Sequence, residues 1–126
     1  MSGEVLRGSC LCGEVVFEVD PPLGRFVYCY CSRCRKATGS SYAENVYVAP
    51  TQLRWLAGAE RISRFDLPSA RSFATAVCRR CGSPVPHATR RGREMIVPAG
   101  SLDAAVVRLP PSERCEWDSR APWVEP

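Results

Sequence analysis

Short runs of alternating hydrophobic and polar residues recur along the chain, and proline and glycine residues separate them. Alternation with a period of two places successive side chains on opposite faces of a strand, so these runs predict β-strands. The predicted strand segments are Glu14–Val19, Phe26–Cys31, Tyr42–Val48, Gln52–Leu56, Arg61–Leu67, Arg71–Val77 and Arg93–Val97. The pattern therefore predicts a mainly β protein built from small antiparallel sheets.

Helical periodicity is almost absent. The one predicted helix is Ser32–Thr38, with Ser32 as its N-cap and Gly39 as the residue that ends it. The proline-rich stretch from Pro110 onward is expected to lie on the surface, anchored by Trp117 and Trp123. The length of 126 residues fits a single domain, residues 1–126. No apolar run approaches the roughly 18–20 residues that a membrane span requires.

Composition changes this picture through the eight cysteines. The segment Met1–Gly8 lacks the apolar core of a secretory signal, so we expect a cytoplasmic protein. Cysteines in that compartment bind metal or carry out thiol chemistry more often than they form disulfides. The formal net charge is +4, but the basic residues are scattered along the chain and give little support to nucleic-acid binding.

Four cysteines form two closely spaced pairs, which are far apart in the sequence: Cys10, Cys12, Cys78 and Cys81. In an extended C-x-C segment both sulfurs point to one face, and a C-x-x-C segment followed by Gly82 can turn both thiolates inward. Structural zinc takes four ligands in a tetrahedron, so we assign these four to one structural zinc site. The alternatives are buried reduced cysteines and disulfides, although a bridge within C-x-C is strained.

Three further cysteines, Cys29, Cys31 and Cys34, lie within one short segment with no obvious fourth ligand. Three protein ligands and an open position are typical of catalytic zinc. Arg33, Arg35 and Lys36 lie in the same segment and are expected to attract an acidic thiol substrate, with Arg33 or Arg35 binding its carboxylates. Two alternatives stay open, since the triplet can be an empty remnant or a second structural site completed by a more distant ligand.

Two residues are candidates for that distant ligand. His87 is the only histidine and Cys115 is isolated from the other cysteines. A lone histidine is more often an ordinary loop or core residue, and a lone cysteine is more often a small packing residue.

The motifs together resemble the glutathione-dependent formaldehyde-activating enzyme family, which includes centromere protein V. The segments that carry the resemblance are Gly8–Phe17, Cys29–Gly39, Cys78–Pro84, Ala99–Asp103 and Ser119–Trp123. The resemblance implies a β-tent (Mss-four-like) fold with structural zinc on the first four cysteines. It also implies a second zinc on the triplet, where the sulfur of glutathione binds. The implied reaction joins glutathione and formaldehyde as S-hydroxymethylglutathione, and its reverse is a carbon–sulfur lyase reaction.

The sequence departs from the family pattern at two places. Tyr30 lies where the family commonly has histidine, and Arg114–Trp117 replaces a stretch that often begins with histidine. Each change removes a candidate acid–base group or ligand. The alternatives to a lyase-type enzyme are a non-catalytic zinc-stabilised binding module and a carrier of glutathione or another thiol.

Overall fold

The computed structural model describes residues 4–103 and 109–125. These ranges contain ten strands, one α-helix and several short 3-10 turns. The strands are β1 (Leu6–Ser9), β2 (Val16–Val19), β3 (Phe26–Cys29), β4 (Ala43–Val48), β5 (Leu53–Ala57), β6 (Ile62–Asp66), β7 (Ala74–Cys78), β8 (His87–Ala88), β9 (Met95–Pro98) and β10 (Ser112–Cys115). The helix, α1, is Ser32–Thr38, and the 3-10 turns are Pro50–Gln52, Ala59–Arg61, Ala99–Ser101 and Trp117–Ser119.

The described strands form three sheets. The first has the order β1-β2-β5, the second β10-β3-β4-β9-β8, and the third is the β6-β7 hairpin. All pairs are antiparallel except β10 with β3, which run in the same direction. The fold is therefore mainly β with small sheets, as predicted, but the expectation of purely antiparallel pairing is wrong at this edge. A parallel pair needs a long connection, and β10 returns to β3 from far along the chain.

The main core lies between the first and second sheets. The inward side chains of β2 pack against those of β3, β4 and β9, and the buried set is Phe17, Val19, Phe26, Val46, Val48, Met95 and Val97. A smaller cluster lies under the β6-β7 hairpin and contains Cys10, Val15, Ala76, Cys78 and Val85. Trp55 packs against both clusters and so connects them.

Every predicted strand segment overlaps an observed strand, with ends that differ by a few residues. The largest difference is in Arg71–Val77, where the strand begins only at Ala74. Three strands were not predicted, namely β1, β8 and β10. Each has only two to four residues and lacks a clear alternating hydrophobic pattern.

Helix α1 has the predicted bounds, and Gly39 ends it with a left-handed φ of 69°. The N-cap is Cys31 and not Ser32, because the Cys34 amide donates a hydrogen bond to the Cys31 sulfur. Within residues 4–103 and 109–125, no helix combines the length and the apolar character needed to cross a membrane.

Candidate metal and thiol site

The first cysteine cluster brings together Cys10, Cys12, Cys78 and Cys81, whose sulfur atoms all lie within 4.8 Å of one another. The Cys12 sulfur lies 3.6 Å from that of Cys10 and 3.8 Å from that of Cys78. These separations approach the roughly 3.8 Å between sulfurs in a tetrahedral zinc–thiolate site. The four residues that the spacing grouped therefore converge at one point and can hold a metal ion.

The local geometry of the C-x-C segment differs from the prediction. Cys10 and Cys12 lie in a turn and not in an extended segment, because the Gly13 amide donates to the Cys10 carbonyl at 3.0 Å. The Val15 amide also donates to the Cys10 sulfur at 3.3 Å. The prediction for the other pair is confirmed, since Gly82 has a φ of 76° and its amide donates to the Cys78 carbonyl at 2.8 Å.

Polar groups surround the first cluster on its solvent side. The Ser83 hydroxyl and backbone lower the pKa of Cys81 to about 5. Arg61 and Arg80 both form ion pairs with Glu14, at 3.1 Å and 2.8 Å. The Ser83 contacts favour the thiolate form of Cys81. The two ion pairs connect the loop of the C-x-C segment, through Glu14, to the residues around the C-x-x-C segment.

The second cluster consists of Cys29, Cys31 and Cys34, again with all sulfurs within 4.8 Å of one another. Cys29 is the last residue of β3, Cys31 caps α1, and Cys34 is buried in the first turn of that helix. The chain thus passes from strand to helix around the three sulfurs. No other His, Cys, Asp or Glu of the described residues completes this group at the same distances.

Cys29 and Cys34 of the second cluster differ in how readily they ionise. The hydrogen bond with the Cys34 side chain lowers the pKa of Cys29 to about 5 against the opposing effect of burial. The same contact and burial raise the pKa of Cys34 above its usual range. Of these two residues, Cys29, at the end of the strand, is the one that favours the thiolate.

The structure places the two distant candidates for a fourth ligand very differently. Cys115 lies in β10 directly beside Cys29 of β3, so its sequence isolation was misleading. His87 lies in β8 at the opposite edge of the same sheet, three strand spacings or roughly 14 Å from β3. His87 is therefore excluded as a ligand of the second cluster, and burial lowers its pKa to about 4.

A groove of about 420 Å³ borders helix α1. Its lining residues are Ser32, Arg35, Lys36, Gly39, Ser40, Ser41 and Trp123. Arg35 lines this groove, whereas Arg33 is exposed on α1 outside the lining. The Arg35 Nε is buried and has no hydrogen-bond acceptor among the described residues. A buried N–H without a partner is costly.

Aromatic side chains pack behind the second cluster. Tyr42 stacks on Tyr28 and Tyr30, with ring centroids 4.9 Å and 4.8 Å apart, and Trp117 meets the edge of Tyr30 at 4.8 Å. Tyr30 is buried in this group, so it has a packing role. Trp117 anchors the C-terminal segment as predicted. Trp123 is 66% exposed, and it attaches the segment through a hydrogen bond from its Nε1 to the Ser41 hydroxyl at 2.9 Å.

A larger cavity of about 680 Å³ lies near the end of the β6-β7 hairpin away from Cys78. Its principal cation, Arg90, already donates hydrogen bonds to the carbonyls of Leu67, Ala70 and Phe73. No cysteine lines this cavity. Because Arg90 is already bonded to the chain, we assign it a structural role.

The comparisons with known proteins agree with the geometry. Residues 5–118, which include all eight cysteines, match the family described as glutathione-dependent formaldehyde-activating enzyme. The chain belongs to this family. A curated relative from Halomonas elongata, provisionally named a glutathione-dependent formaldehyde-activating enzyme, is 34% identical over 131 aligned positions that cover 96% of this chain and 80% of the relative.

The fold of the family member also resembles a solved structure. The crystal structure of a Rhodobacter sphaeroides protein superposes with a TM-score of 0.65 and 28% sequence identity. The match covers 79% of this chain and 90% of the other. Because Trp123 lies beyond residue 118, the wall that it adds to the groove falls outside the family match.

Sequence reasoning missed Ser41 and Trp123 as residues that line the groove. It named Lys36 as a cation of the triplet segment and Cys115 as a candidate distant ligand, and the structure places Lys36 in the groove and Cys115 beside Cys29. The positions Ser32, Arg35, Lys36 and Gly39 follow the spacing of one helix face, which was a usable signal. The path of the C-terminal segment brings Cys115 to the second cluster and Trp123 to the groove. No local sequence pattern predicts that path.

Proposed function

We propose that this protein is a zinc-dependent enzyme of the carbon–sulfur lyase type that forms or cleaves S-hydroxymethylglutathione. The observation that carries the proposal is the second cluster, in which three cysteine sulfurs converge at the start of helix α1. The same helix contributes Arg35 and Lys36 to a groove. The family match supports glutathione and formaldehyde as the reactants. The first cluster has the four-sulfur pattern of a structural site.

The reaction is an addition and needs no oxidant. The glutathione thiolate donates an electron pair to the carbon of formaldehyde, and a carbon–sulfur bond forms. The carbonyl π electrons move to oxygen, which takes up a proton from water. In the reverse direction the hydroxyl loses its proton, the carbon–sulfur bond breaks, and the electron pair returns to sulfur.

The residues of the second cluster fit a zinc ion, since three cysteine sulfurs are a donor set that Zn²⁺ prefers and that leaves one position open. Bound there, zinc would keep a thiol deprotonated at neutral pH. The contribution of the protein is to place Cys29, Cys31 and Cys34 around one point and to bring the substrate to it.

Glutathione carries two carboxylates, and the groove carries the cations to bind them. Arg35 offers a planar set of donors that suits a carboxylate, and Lys36 offers a second positive charge. Cys34 and Arg35 are consecutive in α1, so the second cluster and the groove lie on adjoining faces of the same helix. Arg33 adds positive charge on the same helix from outside the groove. All eight cysteines are free thiols, which fits a reducing compartment, and we propose a cytoplasmic location.

The proposal is tested by loading the protein with zinc, mixing it with glutathione and formaldehyde, and following S-hydroxymethylglutathione by proton NMR. We expect the wild-type protein to speed the exchange between free and adduct forms. A variant with Cys29, Cys31 and Cys34 all changed to serine should not. If the wild-type rate does not exceed that of the triple variant, this substrate assignment is wrong.

A matched pair of arginine variants tests the groove. We expect Arg35→Gln to raise the KM for glutathione about tenfold, because a carboxylate loses a charged hydrogen-bond partner. Arg33→Gln removes the same charge from the same helix outside the groove, and its KM should change less than threefold. Equal effects of the two variants would reduce the role of Arg35 to general charge attraction.

A further inference from the structure

Cys115 is a fourth cysteine beside the second cluster. It is the last residue of β10 and pairs in parallel register with Cys29, the last residue of β3. The Tyr30 amide donates to the Cys115 carbonyl at 2.9 Å, which fixes the end of the pair. Adjacent strands lie about 4.8 Å apart, and side chains paired in register point to the same face of the sheet. Both cysteines are half-buried.

The Cys115 sulfur is close to the cluster but does not belong to its mutually close set of three. A cysteine side chain has three staggered χ1 positions, and a change between them moves the sulfur without moving the strand. In a tetrahedral site the sulfurs are about 3.8 Å apart, which side chains on neighbouring strands can reach. The backbone therefore holds Cys115 where a change in χ1 alone would bring its sulfur to the cluster.

We propose that Cys115 is an exchangeable fourth ligand of a metal ion bound by Cys29, Cys31 and Cys34, and that an incoming thiol substrate displaces it. The identity of that thiol as glutathione rests on the proposed function above. In the exchange the substrate thiol gives up its proton, the Cys115 thiolate takes up a proton, and one sulfur ligand replaces another. No oxidant is needed. Cys115 would thus close the site at rest and compete with the substrate.

The test counts sulfur ligands by cadmium-113 NMR on the full chain loaded with cadmium, in wild type and in Cys115→Val. Valine keeps the size and strand preference of the side chain but cannot bind metal. Each cluster gives its own resonance, and loss of a sulfur ligand shifts the resonance upfield. The first cluster serves as an internal control for folding, and Ser112→Ala in the same strand serves as a control for changes in β10.

We expect both wild-type resonances in the four-sulfur range and one of them shifted upfield in Cys115→Val alone. Glutathione should move the shifted resonance back in the variant, at a concentration at least tenfold below that needed to perturb the wild-type signal. A wild-type second resonance already in the three-sulfur range, or absent, would overturn the proposal. Because this readout requires no turnover, the proposal can fail while the adduct assay still supports the enzyme, or succeed while that assay fails.

Discussion

Loss of metal from the first cluster should cost the protein a large part of its stability. Cys12 and Cys78 are 66 positions apart in the chain, yet their sulfurs lie 3.8 Å apart. A cross-link that closes a loop of this length removes conformational entropy from the unfolded chain worth about 4 kcal/mol. Domains of ordinary size are stable by about 5–15 kcal/mol in total. Cys12→Ser should therefore lower the free energy of unfolding by about 4 kcal/mol.

The assay is urea unfolding of the zinc-loaded protein, followed by tryptophan fluorescence, with and without a chelator. Leu11→Ser is the matched control, since Leu11 lies in the same turn and is 84% exposed. It should change stability by less than about 0.5 kcal/mol. Chelated wild type and chelated Cys12→Ser should be nearly equal, because both lack the same cross-link. A cost below about 1 kcal/mol for Cys12→Ser, with one metal ion lost per chain, would refute the loop argument.

Three further changes test other parts of the structure. Arg90→Lys should lower the free energy of unfolding by about 2–4 kcal/mol, as a single ammonium group cannot reach the carbonyls that the guanidinium binds; urea unfolding measures this. Gly82→Ala should cost about 1–2 kcal/mol from its positive φ alone, and Gly58→Ala should cost more because its Cβ also meets the Glu14 carbonyl; thermal unfolding compares the two. Burial lowers the pKa of folded His87 from 6.5 to about 4, so protons bind the unfolded chain more tightly, and stability is lost as pH falls from 6.5 toward 4. Between pH 6.5 and pH 4 the free energy of unfolding of His87→Gln should fall by up to about 3 kcal/mol less than that of wild type, and urea unfolding at the two pH values measures this.

Each of these outcomes has a clear opposite. Full stability in Arg90→Lys would mean that charge alone, and not the shape of the guanidinium, fixes the loop. Equal costs for Gly82→Ala and Gly58→Ala would show that the backbone near Glu14 shifts freely. A pH profile that is the same in wild type and His87→Gln would place the acid sensitivity elsewhere, in the cysteine clusters or the carboxylates.

The sequence predicted the parts of this structure that depend on neighbouring residues. Alternation located the core strands, because a side chain that faces the core recurs at every second position. Spacing separated the four cysteines of the first cluster from the three of the second. The predicted N-cap of α1, Ser32, is wrong by one residue. The N-cap is Cys31, whose sulfur accepts a hydrogen bond from the Cys34 amide.

The unpredicted features depend on contacts between distant segments. Strand β10 has the sequence Ser-Glu-Arg-Cys and is exposed along most of its length, so no hydrophobic pattern marks it. Its pairing with β3 decides that Cys115 lies beside the triplet, and the order of strands in the same sheet decides that His87 does not. Neither position follows from spacing in the chain.

The two clusters differ in a way that separates stability from exchange. The first joins residues far apart in the chain, so a metal ion bound there would close a long loop. The second draws its three close sulfurs from Cys29–Cys34, whose backbone is already fixed by β3 and α1, so a change of ligand there would open no long loop. Even Cys115 is held by backbone hydrogen bonds between β10 and β3 and not by its sulfur. A site that exchanges a sulfur ligand would have to keep its shape while a bond is absent, and the backbone around the second cluster fits that requirement.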